Sequence, residues 1–130
     1  MKHLSLMMMG VFLISAISFA QTAKKIEWKE MKAFHEIMSA VYHPTEEGNF
    51  APLKEKANEL SKTAKIWRDS KVPSELMAEQ TKAMLNKLLA KCREIANAVQ
   101  VNTPNSQLKV MIVAAHDMFH KIVVECEKVK

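Results

Sequence analysis

From Gln21 onward the chain holds a single glycine, Gly48, and its four prolines, Pro44, Pro52, Pro73 and Pro104, all fall between stretches whose apolar residues recur at steps of three and four. Proline breaks a helix interior but is accepted in first turns and loops, and glycine weakens a helix more than any residue except proline. Punctuation this sparse leaves long uninterrupted segments, and no β-branched run with two-residue alternation competes for them. The chain is therefore expected to be all-α, with helices over about 24–42, 50–69, 74–99 and 104–128 joined by short loops.

Each segment carries one apolar face. In the first, Met31, His35, Met38 and Tyr42 recur at helical steps, with Phe34, Ile37 and Val41 beside them. The second presents Leu53, Ala57, Leu60, Ala64 and Trp67, and the third Met77, Met84, Leu88, Cys92, Ile95 and Val99. The fourth presents Leu108, Ile112, Ala115, Phe119, Ile122 and Cys126. Asn49 is placed to cap the second helix, with Pro52 in its first turn, and Thr103 to cap the fourth, with Pro104 at its first position. Gly48 supplies the positive φ that ends the first connection. Short loops set neighbouring helices antiparallel, so the expected arrangement is an up-down-up-down antiparallel four-helix bundle.

The first twenty residues, MKHLSLMMMGVFLISAISFA, combine a basic start, an apolar stretch and small residues at Ser18 and Ala20, the pattern of a cleaved secretory signal. Cleavage after Ala20 takes twenty of the 130 residues and leaves 110, enough for one domain over 21–130. The expected location is periplasmic or secreted. No later apolar run is long enough to span a bilayer. The formal charge of +5 falls by one when Lys2 leaves. The remaining lysines are interspersed with glutamates, a solvated surface rather than a nucleic-acid stripe.

The chemistry is concentrated in AAHDMFHK, where His116 and His120 stand four apart on one helix face. Counting down the expected bundle at about 1.5 Å per residue puts His35 and His116 at similar depth, ~12–15 Å from one end, with Cys92 at about 11 Å. Met38 then lies level with Met111, and Met31 with Met118. His35, His116 and His120 form a three-imidazole set suited to copper or zinc, and Met31 or Cys92 is a further ligand; thioethers favour copper(I). Edge histidines hydrogen-bonded to neighbours, and methionines serving as flexible core filler, are the structural alternative. His43, Glu46 and Glu47 form a weaker second set, better explained by a helix stop followed by negative charge near a helix N-terminus. Cys126 falls roughly 30 Å from the same end, so no bridge to Cys92 is expected.

At VAAHDMFHK the fourth helix resembles the last helix of cytochrome c-prime, where a C-x-x-C-H motif is followed by an aromatic and a basic residue. His116 matches the ligand position and Phe119 the aromatic, while Ile112 and Ala115 stand at the cysteine positions and His120 replaces the basic residue. The four-helix layout is also similar to the soluble b-type relatives of that superfamily. The resemblance implies haem b held without covalent attachment, with Met31 or Met38 and His116 as axial ligands, for electron transfer or gas binding.

Three functions follow as expectations. The first is a non-enzymatic, exported copper- or zinc-binding bundle, with a metal ion and another periplasmic protein as partners. The second is the haem protein. The third is a cofactor-free bundle that binds a client, for which Trp28 and Trp67 are surface candidates, though both also fit as core-edge aromatics. No nucleophile–base pairing, phosphate loop or strand-turn-helix elbow points to catalysis, although a three-histidine site with an open position would support metal-dependent hydrolysis.

Overall fold

The computed structural model describes residues 26–128. Four helices carry the chain: α1 (Lys29–Glu46), α2 (Ala51–Asp69), α3 (Ala78–Gln100) and α4 (Asn105–Glu127). No strand occurs among the described residues. The expected signal over 1–20 and the expected helix start at 24 lie outside them. Each helix packs on its neighbour in the chain, and α1 also meets α4 along a sparser seam, closing a four-helix bundle. No helix among the described residues is long and apolar enough to cross a membrane.

The faces read from α2 and α4 are the buried ones: Leu53, Ala57, Leu60, Ala64 and Trp67 on one helix, Leu108, Ile112, Ala115, Phe119, Ile122 and Cys126 on the other. Each fully buried large side chain contributes roughly 1.5–3 kcal/mol of hydrophobic stabilisation. In α3 the stripe runs through Leu85, Leu88, Cys92 and Ile95, whereas Met77 lies just ahead of the helix and is 67% exposed. In α1 the buried residues are Phe34, Met38, Val41 and Thr45. His35 is exposed, and Met31 and Tyr42 are half-buried. Centring the face on Phe34 and Val41 buries hydrocarbon, while centring it on His35 would desolvate an imidazole.

An aromatic cluster joins three helices. Trp67 contacts Trp28 edge-on at 5.6 Å, Phe34 at 5.4 Å and Phe119 at 5.9 Å. Both tryptophans are buried. The Trp28 indole donates to Ser70 Oγ at 2.9 Å, and that hydroxyl donates to the Trp67 carbonyl at 2.6 Å, tying the approach to α1 to the end of α2.

Pro44 lies inside the last turn of α1, and the helix runs on to Glu46. Proline this near the end forgoes one helical bond, and its own carbonyl is well used. It accepts from Asn49 N–H at 2.8 Å while Thr45 O accepts from Gly48 N–H at 3.0 Å, with Gly48 at φ +86°. These paired bonds are a Schellman closure. α3 ends the same way, with Asn102 at φ 56°, Thr103 N–H to Ala98 O at 3.0 Å and Asn102 N–H to Val99 O at 3.2 Å. Asn49 Oδ1 accepts from Ala51 N–H at 3.2 Å and so serves the start of α2, with Phe50 as the flanking residue. Pro104 rather than Thr103 flanks α4, and its carbonyl accepts from the Gln107 and Leu108 N–H groups.

Candidate metal site at the seam of α1 and α4

His116 and His120 converge. Their Nε2 atoms are 3.0 Å apart and their rings nearly perpendicular, at 77° with centroids 4.4 Å apart. At that distance one nitrogen donates and the other accepts, so the pair shares a single proton between opposite tautomers. The i,i+4 spacing brings the rings together, and α1 holds one of them. The Tyr42 ring lies flat on His116 with centroids 3.7 Å apart and planes 3° apart. Only 21% of the His116 side chain is exposed, whereas His120 is open to solvent.

The electrostatics favour a neutral His116. Burial lowers its pKa first, and positive charge on His120 and His43 lowers it further, against the pull of the Asp117 carboxylate. His116 Nδ1 is buried without a hydrogen-bond partner, and Asp117 Oδ1 stands 3.8 Å away, too far to hydrogen-bond yet near enough to attract a proton there. The Tyr42 phenol is raised, chiefly by the adjoining Glu46 carboxylate and then by burial.

The other expected ligands do not join this pair in one group. His35 stacks on Phe119 at 5.1 Å and 20°, and Phe119 in turn meets the His120 ring edge-on at 5.6 Å. His43 meets the edge of Tyr42 at 5.7 Å, and Glu46 and Glu47 are exposed at the end of α1. Met31 is half-buried, while Met38 belongs wholly to the core. Cys92 is fully buried on α3, and burial pushes its thiol up to about 12. Cys92 and Cys126 are both buried, and no disulfide joins them. Among the described residues no group of three His, Cys, Asp or Glu side chains gathers around one point. The structure therefore brings together two imidazoles, a stacked phenol and a neighbouring carboxylate.

Tyr42 and Asp117 are the residues that reasoning from spacing passed over. Asp117 was signalled only by its adjacency to His116. Tyr42 lies seven residues beyond His35 on α1, and its meeting with His116 is set by the register of two helices, which spacing within one helix does not fix. No family model, curated protein or solved structure matches the chain.

Proposed function

We propose that this chain is an exported, non-enzymatic four-helix bundle of up-down-up-down topology that binds a copper or zinc ion through His116 and His120. The observation that carries the reading is the 3.0 Å separation of the two Nε2 atoms. An ion at the usual 2.0–2.1 Å from each nitrogen would see them at roughly 95°, between tetragonal and tetrahedral angles, so little side-chain movement is needed for either metal. The lowered pKa of His116 keeps its nitrogen unprotonated at neutral pH, as a metal ligand must be. The Asp117 carboxylate, 3.8 Å from His116 Nδ1, favours a proton on that nitrogen by its charge, the tautomer that leaves Nε2 for the metal.

Two seam contacts support the antiparallel course of α1 and α4. Tyr42 meets His116, while His35, earlier on α1, meets Phe119, later on α4. Export rests on the pattern of the first twenty residues. A bare ion suits the site better than haem. A porphyrin plane on His116 Nε2 would have to displace the His120 ring, and Met38 lies within the packed core.

Equilibrium dialysis of the purified protein against Zn(II), Cu(II) and Cu(I), with bound metal measured by mass spectrometry, tests the reading. Stoichiometric uptake that disappears in the His116→Ala, His120→Ala variant is expected. Uptake unchanged in that variant refutes the site, and no uptake of any ion moves the reading to a cofactor-free bundle.

A further inference from the structure

Two imidazoles fill half of a four-coordinate site, and the sparser seam between α1 and α4 holds the candidates to extend it. At 100° per residue, His35, Glu36, Ser39, Tyr42, His43 and Glu46 fall within an arc of about 120° on α1. The contacts of His35 with Phe119 and of Tyr42 with His116 set this arc beside α4.

His43 stands closest in its contacts. Its ring meets the edge of Tyr42 at 5.7 Å, and Tyr42 lies 3.7 Å from His116, so both imidazoles touch one phenol. Charge on His43 is also near enough to lower the His116 pKa. The lean of helical side chains then separates it from the others, because each points back towards the N-terminus of its own helix. With α1 and α4 antiparallel, His43 lies about 1.5 Å past the level of Tyr42 and leans back towards the His116–His120 gap. His116 and His120 lean the opposite way, towards His43. His35, level with Phe119, leans away from the pair, and Glu36 beside it does the same. Glu46 leans the right way, but its carboxylate adjoins the Tyr42 phenol.

We infer that His43 swings onto the ion as its third ligand, giving an all-imidazole site of His43, His116 and His120 with solvent in the fourth position. The inference rests on the metal reading above and names the class of ion the site takes. Among the described residues the third ring stands apart from the pair. It is exposed, however, and no hydrogen bond among those residues restrains it. Exposed side chains change rotamer fast and at little cost. No thioether is placed to join them. Met111 and Met118 lie about 140–180° round α4 from the histidines, and Met38 is buried in the core. Met31 is eleven residues before Tyr42, about 16 Å down α1. Imidazoles suit Zn(II) and Cu(II), whereas thioethers select Cu(I), so the site is one for divalent ions.

Calorimetric titration with Zn(II), Cu(II) and Cu(I), alongside nitrogen-15 spectra of the histidine rings, tests this. Expected is one Zn(II) per chain, bound at least about 100-fold more weakly by His43→Ala, the most that loss of an outer partner costs, and unchanged in His35→Ala. Zinc should move the ring nitrogen signals of His43 together with those of His116 and His120 and leave those of His35 in place. Unchanged affinity in His43→Ala, or His43 signals that zinc does not move, overturns the inference while leaving the two-histidine site standing. A loss in His35→Ala in place of His43→Ala also overturns it. Uptake of Cu(I) but of neither divalent ion overturns the class of ion, and no uptake at all overturns the metal reading beneath it.

Discussion

The phenol ring of Tyr42 and the imidazole of His116 lie parallel, 3.7 Å apart between centroids, and this stack is the main fixture by which α1 orients an imidazole carried on α4. An imidazole held on one face swings less, so less freedom is lost when its Nε2 takes an ion. Aromatic pairs of this kind contribute about 0.5–1.5 kcal/mol beyond their buried area. Tyr42→Leu is accordingly expected to weaken zinc affinity by up to about tenfold, while Tyr42→Phe, which keeps the ring, stays close to the parent. Calorimetric titration checks both, and equal affinities for all three proteins would separate the stack from the site.

Acid should weaken the fold partly through His116. Its pKa is lowered in the native state, by burial first and then by His120 and His43, so the unfolded chain takes up this proton at a higher pH than the native one. Stability from the neutral ring is complete above the unfolded value of about 6.5, declines as pH falls through it, and levels off once native His116 is itself protonated. Without metal, the urea midpoint should fall between about pH 7.5 and pH 5.5, and fall less in His116→Gln. An equal fall in both proteins would assign the effect to other groups.

Gly48→Ala isolates the backbone at the end of α1. A Cβ there meets nothing within 4 Å, but φ is +86°, so the cost is conformational rather than steric. A loss of about 1–2 kcal/mol in chemical denaturation is expected. Asn102→Gly, at the matching position of α3 with φ 56°, should be neutral or slightly stabilising.

Cys92 should be chemically silent in the folded protein. Its thiol is fully buried, and ionisation is pushed up to about 12. In a Cys126→Ser background, a disulfide-forming thiol reagent should label Cys92 only after denaturant is added. Rapid labelling under native conditions would mean that α3 opens locally and would return Cys92 to the ligand candidates.

The parts legible in the sequence are those set within one helix. The stripes of α2 and α4 follow from period alone, and the convergence of His116 with His120 follows from their spacing of four. What crosses between helices depends on where each helix stops. Reading Pro44 as a terminator placed His35 level with His116. The Schellman closure at Gly48 carries α1 to Glu46, four residues or about 6 Å further, but Tyr42, which takes the place beside His116, lies seven residues or about 10 Å beyond His35, so the register of α4 against α1 supplies the rest. Proline in a last turn costs little when the next residues supply the closing bonds, and local pattern does not distinguish that case from a proline just outside the helix. His35 mimicked a core position because its spacing to Met31 and Met38 is helical, although Phe34 and Val41 offered more hydrocarbon to bury.

The connections after α1 and α3 close through main-chain hydrogen bonds around Gly48 and Asn102, and the one turn side chain that adds a bond, Asn49, serves the start of α2. The shape of these corners is thereby separated from their surface chemistry. Glu46 and Glu47 can be exchanged for other groups while α1 still meets α4 in the same register, so the charge surrounding the histidine pair is free to diverge on a scaffold that keeps the pair in place.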